Sequence, residues 1–355
     1  MEFPDQRTAS ILSTILLFVV AGAFVYAARD VLIAFLFAIL FAYLLDPLVS
    51  RLQSWALVSR GSRSMAILEV YAILCLTVSI VLLLIGPGIA DEGRRLAATM
   101  PGLFEKVGSG QIALQIGSTR GWSSNTQLRL QQFLASHANA TLGWFTAAGS
   151  RVAKFAQNLI WIVLIPIVAI FFLKDGRRFA ENLLELFERK RQRQFLAGIT
   201  EDLNNMLAHY IRSQLILAGL SLVVYMTVLA ILRVPYASVL GSLAGVMEFI
   251  PVVGPLVGAA AILVVAFLTN YPHVLAVAVF LGIWRLVQDY VTAPRIMGGK
   301  LQLHPLAVIF AILVGGEIGG VIGVYLSIPI AAGLRIIWKR WRRVDREGQP
   351  NVRAA

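Results

Sequence analysis

A chain of 355 residues in which 58% are hydrophobic and only 14% are charged is too apolar for a soluble domain, whose surface needs far more charge. The net charge of +12 invites a nucleic-acid reading. However, the basic residues sit mostly in short loops and a C-terminal tail between apolar runs, where the positive-inside rule accounts for them. No nucleic-acid partner is expected, and membrane lipid is.

The first apolar run, Ile11 to Ala28, has the small residues Ala21-Gly22-Ala23 of a signal-peptide cleavage site. Yet Glu2 and Asp5 outnumber Arg7 before it, and a second run, Val31 to about Val49, begins after only Arg29-Asp30. A tight helical hairpin is therefore expected. Arg51, Arg60 and Arg63 follow with no acidic residue before the third run, Met65 to Pro87. That charge bias puts the loop and the N-terminus in the cytoplasm. Residues 1–87 are then N-terminal membrane helices. The single cysteine, Cys75, lies inside the third run, which excludes intrachain disulfides and cysteine-based metal sites.

From residue 88 to 157 the apolar runs stop and Gly, Ser, Thr and Asn become common. This segment reads as an extracytoplasmic soluble excursion with short amphipathic helices at Arg94 to Val107 and Leu128 to Ala138. Residues 158–212 supply a fourth span, Asn158 to Leu173 with a kink at Pro166, and a charged amphipathic cytoplasmic helix from Lys174 to Asp202. A transport core is expected over 213–338, followed by a basic cytoplasmic tail over 339–355.

Within that core, Ser213 to Leu232 is a fifth span and Val274 to Val291 a sixth, and after each comes a segment that cannot be one helix. Pro235 to Leu268 is broken by Pro251, Gly254 and Pro255; His304 to about Trp338 is broken at Gly315, Gly316, Gly319 and Gly320. Each arm of about fifteen residues gives roughly 22 Å of helix against a hydrocarbon core of about 30 Å, so re-entrant hairpins fit. The first enters from outside and the second from the cytoplasm, which makes an inverted repeat. At an offset of 69 residues, Val239/Val308, Glu248/Glu317, Val252/Val321 and Gly254/Gly323 coincide. The fold class expected is an all-α polytopic membrane protein of about six full spans plus two broken re-entrant helical hairpins, with both termini cytoplasmic.

Irregular backbone at membrane depth must be buried in protein or line a wet cavity, because lipid cannot satisfy freed N–H and C=O groups. Interrupted segments at corresponding places are the best sequence pointer to a transporter's midplane site. Glu248 and Glu317, one at each break, are candidate pathway residues; the alternative is that each caps free N–H groups of the following half-helix. On the sixth span Trp284, Arg285, Gln288 and Asp289 form a polar face, with Arg285 and Asp289 one turn apart. A snorkelling Arg285 near the interface is the alternative there. Arg212 and Gln214, at the mouth of the fifth span, are secondary candidates. The four-residue spacings Gly241/Gly245, Gly254/Gly258 and Gly315/Gly319/Gly323 suit close helix packing.

The motifs YIRSQ (Tyr210 to Gln214), VPYASVLGSLAGVMEFIPVVGP (Val234 to Pro255), APRIMGG (Ala293 to Gly299), LHPLAV (Leu303 to Val308) and GGEIGGVIGVYLSIP (Gly315 to Pro329), with LLDPLV at Leu44 and FFLKDG at Phe171, resemble the AI-2E transporter family. Ser213 stands where that family usually has Gly. The resemblance implies a homo-oligomeric secondary transporter of the bacterial cytoplasmic (inner) membrane. Its cargo would be a small polar solute like the quorum signal autoinducer-2, or sodium or lithium exchanged for protons; a non-transporting membrane scaffold is a third possibility. No enzyme, cofactor or metal is expected. Gly298-Gly299-Lys300 lacks the rest of a phosphate-binding loop, and His137, His209, His273 and His304 are scattered. Among the distant cations, Arg285 is the expected partner of Glu317.

Overall fold

The computed structural model describes residues 6–54, 62–109, 123–129, 131–132, 136, 159–298 and 303–347. Its helices are α1 (Gln6–Ala27), α2 (Arg29–Ser54), α3 (Arg63–Gly108), α4 (Leu159–Glu185), α5 (Lys190–Ile231), α6 (Ala237–Met247), α7 (Val253–Leu268), α8 (Val274–Val287), α9 (Ala293–Met297) and α10 (Pro305–Glu347). There is no strand among the described residues. Six helical stretches, Ser10–Ala27, Arg29–Ser54, Arg63–Leu103, Lys190–Ile231, Val274–Met297 and Pro305–Arg342, are long and apolar enough to cross a membrane, and α6 and α7 are shorter apolar helices. The protein is thus an all-α polytopic membrane protein. In lipid only a helix, or a closed barrel, satisfies every backbone group internally.

The chain divides into two units, Met1–Val70 with Phe155–Leu186 and Tyr71–Lys154 with Phe187–Ala355. In the first, α2 packs on α4 through Ala34, Ala38, Leu45 and Val49 against Ala169 and Leu173, with Phe35 edge-on to Phe172. Arg63 ties the two helices. Its guanidinium pairs with Asp46 at 2.7 Å and donates to the Leu173 carbonyl at 2.6 Å, so one cation joins the LLDPLV and FFLKDG stretches. The tight hairpin expected of the first two runs is not formed. Ala28 N–H donates to Phe24 O and Leu32 N–H to Ala28 O, so the helical ladder runs on through the junction. Arg29-Asp30 offers neither glycine nor proline to stop it.

Several expected boundaries also merge. The third run continues into the excursion as one helix of 46 residues, Pro87 and Pro101 included, so Arg94 to Val107 is the end of α3 and not a separate short helix. Of the helix expected at Leu128 to Ala138, part lies outside the described residues; 124–129 are helical. The charged stretch Lys174 to Asp202 is not one helix: its first part ends α4 at Glu185, and its last part opens α5, which runs unbroken into the fifth span.

The second unit is built around the first broken segment. α6 has 11 residues and α7 has 16, and their buried faces pack with α5 and α8 into one core containing Tyr225, Leu229, Leu240, Ala244, Ile262 and Val277. Close approach is enforced by glycine. A Cβ on Gly241 or Gly245 would stand 2.8 Å or less from the α5 backbone at Met226 and Leu222, and one on Gly254 would stand 1.7 Å from the Met247 carbonyl oxygen. The segment therefore folds back as a helical hairpin with Glu248 to Val252 at its turn. In α10 the ladder is interrupted at Gly320, φ 56° and ψ −136°, and a Cβ on Gly315 would lie 2.4 Å from Gly323 O. Residues eight apart on a straight helix are about 12 Å apart, so this segment also doubles back.

Candidate functional site

The turn of the first hairpin carries a polar cluster that runs from the buried Glu248 out to Arg285 and Asp289, whose side chains are 41% and 44% exposed. Glu248 is the C-cap of α6 and its side chain is 5% exposed. A carboxylate at a helix C-terminus faces the negative end of the dipole, and burial makes an unpaired charge more costly still. Its partners come from two helices. Arg285 of α8 places Nη1 3.6 Å from Oε1, and Tyr225 of α5 points its hydroxyl at Oε2 across 3.5 Å. Arg285 also holds Asp289, Nη2 to Oδ1 at 2.7 Å and Nε to Oδ2 at 2.9 Å. The result is one guanidinium between two carboxylates, and the bidentate half fixes its plane.

Gln214 closes the other side. Its amide nitrogen donates to the carbonyl oxygens of Glu248 at 3.3 Å and Phe249 at 3.2 Å. These acceptors are freed where α6 ends, and they fix the orientation of the amide because a carbonyl can only accept. Gln288, at the start of the π-turn Gln288–Thr292, donates to Ser221 Oγ at 2.6 Å. π-turns inside helices recur at functional sites because they re-aim side chains. Three buried side-chain atoms of α5, α8 and the π-turn have no hydrogen-bond partner among the described residues: Gln214 Oε1, Trp284 Nε1 and Gln288 Oε1. Gln214 and Gln288 are each only 4% exposed.

Val252, in the same turn, has φ 66°. For a β-branched residue that is a strained backbone, of the kind that survives only when the surroundings over-determine it. Pro251, Gly254 and Pro255 accompany it: Val253 N–H reaches Pro251 O and Gly254 N–H reaches Ile250 O, while Gly254 and Pro255 are buried at the start of α7. The next residue after Glu248 joins the two hairpins. Phe249 stacks on Tyr325, centroids 5.2 Å apart and planes within 19°, and Tyr325 lies five residues beyond the Gly320 break. Tyr210 donates to Tyr325 O at 3.4 Å.

The structure brings Glu248, Arg285, Gln288, Asp289 and Gln214 together, and it leaves others apart. Arg212 is exposed. Glu317 is exposed as well, with no ion pair among the described residues. The expected pairing of Arg285 with Glu317 is replaced by Glu248 and Asp289. Gly315 packs on Gly323 and Gly316 on Val324, whereas Gly319 and Gly320 have open space where a Cβ would be. Tyr225, Ser221, Phe249 and Tyr325 are additional members of the site. No cluster of His, Cys, Asp and Glu that could hold a metal occurs among the described residues.

A helical membrane protein with a strained hairpin turn that buries a carboxylate, met by a second broken helix, has the build of a transporter. The chain belongs to the AI-2E family: the family model for AI-2E family transporters matches residues 14–343. It is 25% identical over 329 residues to YrrI of Bacillus subtilis, covering 90% of this chain and 89% of that protein. It is also 22% identical over 347 residues to YhhT of Escherichia coli, covering 97% and 93%. Both are named as transport proteins without a cargo. With the AI-2 transport protein TqsA of Escherichia coli it shares 23% identity over 311 residues, 87% of this chain and 86% of TqsA. Membrane transport is the role these relatives share, in a multi-pass bacterial membrane protein whose apolar helices contact lipid.

Proposed function

We propose that the chain is a secondary transporter of the bacterial cytoplasmic membrane that exports a small polar solute of the autoinducer-2 kind, coupled to an ion gradient. The observation that carries this reading is the set of unpartnered polar atoms around Glu248 and Arg285. Each buried polar group left without a partner costs about 1–3 kcal/mol, and here two acceptors, Gln214 Oε1 and Gln288 Oε1, stand with one donor, Trp284 Nε1. A small polar solute with hydroxyl donors suits the two amide oxygens beside Glu248. A bare sodium or lithium ion would offer nothing to the indole N–H and would meet the Arg285 guanidinium beside its carboxylate. The name of TqsA supports the same cargo class.

In this reading the two hairpins are re-entrant and enter from opposite faces, with Phe249 in the turn of the first stacked on Tyr325 in the second arm of the other. Glu317 on the second hairpin is a residue of the ion pathway. Both termini are cytoplasmic, residues 88–157 lie outside, and the protein works as a homo-oligomer. The test is flux in proteoliposomes under imposed proton and sodium gradients. Gradient-driven movement of autoinducer-2 is expected; sodium or lithium flux without it would replace this reading by cation exchange, and no flux of either by a scaffold. Single-cysteine labelling in a Cys75→Ser background checks the topology: a cysteine at Ser124 is expected to react with an impermeant external reagent in intact cells.

A further inference from the structure

Glu92 lies about two-thirds of the way along α3, 146 residues in sequence from the hairpin residue it touches. Its carboxylate accepts three hydrogen bonds from the first turn of α6: Ser238 N–H to Oε2 at 2.9 Å, Val239 N–H to Oε2 at 3.2 Å, and Ser238 Oγ–H to Oε1 at 3.0 Å. The first N–H groups of a helix have no partner within the helix, and the residue before α6 cannot supply one. Tyr236, the N-cap, sits at φ 61° and makes no side-chain capping bond. Glu92 is thus the cap of α6, delivered from a different helix, with its charge at the positive end of the dipole.

Neighbouring contacts fasten the same seat. Tyr236 donates to Thr99 Oγ1 at 3.2 Å, Gly93 lies against Val239, and Leu96 packs on the core beneath the hairpin. The backbone is strained around it. The non-glycine residues with positive φ among those described are Arg233, Tyr236, Val252 and Asn270, and they fall at the ends of α5, α6 and α7. α6 is only 11 residues long, about 16 Å, with Glu92 at its first turn and Glu248 as its C-cap. Whatever holds the first end fixes where the second stands.

We propose that Glu92 is a positioning residue of the transport core: by capping α6 from the extension of α3, it sets the place of Glu248 and of the hairpin turn at the opposite end of that short helix. The extension of α3 is then a strap that holds the hairpin at its first turn. This rests on the transporter reading for its functional consequence, but the geometry can be tested without transport.

The experiment uses the full-length chain with Cys75→Ser and Val252→Cys, in lipid nanodiscs that expose both faces. The rate at which the cysteine at 252 reacts with a soluble maleimide is measured with Glu92 intact and with Glu92→Gln. The amide keeps the volume but loses the charge and one acceptor oxygen. A rise in labelling rate of about fivefold is expected, the shift that corresponds to losing one capping interaction. An unchanged rate in a folded, monodisperse variant overturns the proposal, because the cap would then hold only its own turn. If Glu92→Gln does not fold, Ser238→Ala removes one of the three bonds, and a smaller rise is required of it. A parallel assay of autoinducer-2 uptake into everted vesicles separates the two readings. Absence of wild-type uptake removes the cargo assignment and leaves the labelling result to decide the role of Glu92. Where uptake is present, a raised KM at unchanged protein level is expected, and loss of rate in proportion to lost folded protein counts against positioning.

Discussion

The two hairpins share a pattern of sequence and differ in what surrounds it. In the first, Glu248 is buried, paired with Arg285 and hydrogen-bonded by Tyr225, and the turn bends at Val252, a residue ill suited to positive φ. In the second, Glu317 is exposed and the bend falls on Gly320, where a positive φ costs little. The first hairpin stores strain and seals its charge inside the core. The second leaves its carboxylate and its two open glycines free. A repeat at the level of glycines and carboxylates fixes where a chain can break, while the neighbours decide whether the break is locked or loose.

The largest expected difference follows from charge. Arg285→Met leaves the Glu248 carboxylate buried without its cation; because Arg285 is itself 41% exposed, the expected loss of stability is about 2–3 kcal/mol, less than for a fully buried pair, read as a fall in the thermal unfolding midpoint of the purified protein in detergent. The same measurement on a Glu317 substitution should show no such fall. An unchanged midpoint in Arg285→Met would mean that the two hairpins do not differ in how their carboxylates are held.

Packing gives the next contrast. Gly254→Ala drives a Cβ to within 1.7 Å of the Met247 carbonyl oxygen. Both atoms belong to backbone, so the arms must separate, at a cost of about 1–3 kcal/mol. Gly319→Ala meets nothing within 4 Å and should be neutral, or stabilising by about 0.5–1 kcal/mol through helix propensity. Equal costs at the two positions would remove the distinction between a closed and an open turn.

Backbone strain offers a smaller test. Gly320→Val puts a branched side chain on a conformation that glycine tolerates, with an expected loss of about 1–3 kcal/mol. Val252→Gly relieves the opposite situation and should gain about 1 kcal/mol at most, because glycine loses more chain entropy on folding. A loss on Val252→Gly would show that the side chain, 43% exposed, contributes more by contact than its backbone costs.

Much of this was legible from residue types. Pro251, Gly254 and Pro255 mark a break because proline removes a donor and glycine admits close approach, and the one-turn spacing of Arg285 and Asp289 announces their pair. The choice between Glu248 and Glu317 as the distant partner of Arg285 was not legible, since both stand at equivalent places in the repeat and only packing of α8 against the first hairpin decides. Tyr225, Ser221 and Tyr325 were hidden for another reason: a hydroxyl in an apolar run looks like part of a span until its neighbour is known. Glu92 sits in the charged stretch of α3, where a solvated carboxylate is the ordinary expectation. The merged helices α3 and α5 show the limit of hydropathy, which marks where apolarity ends and not where the hydrogen-bond ladder does.

The smallest effect on stability, and the most telling for transport, is expected at Glu317. Among the described residues it has no ion pair, so Glu317→Gln removes no stabilising contact and the unfolding midpoint and oligomer size should not move. Its place is two residues before the open Gly319 and three before the bend at Gly320, on the hairpin whose turn is loose. In the proposed transport cycle the hairpin occupies two states that differ in how they accommodate the charge of this side chain. Fixing the side chain as a neutral amide holds it in one of these states. On the proposed function, gradient-driven transport should therefore be lost while downhill exchange survives. The corresponding Glu248→Gln change should lower transport less selectively, because it also disturbs the pairing with Arg285 and with it the core. If Glu317→Gln transports at the wild-type rate under an imposed gradient, the second hairpin plays no part in the proposed coupling, which then has to be sought in the cluster around Arg285.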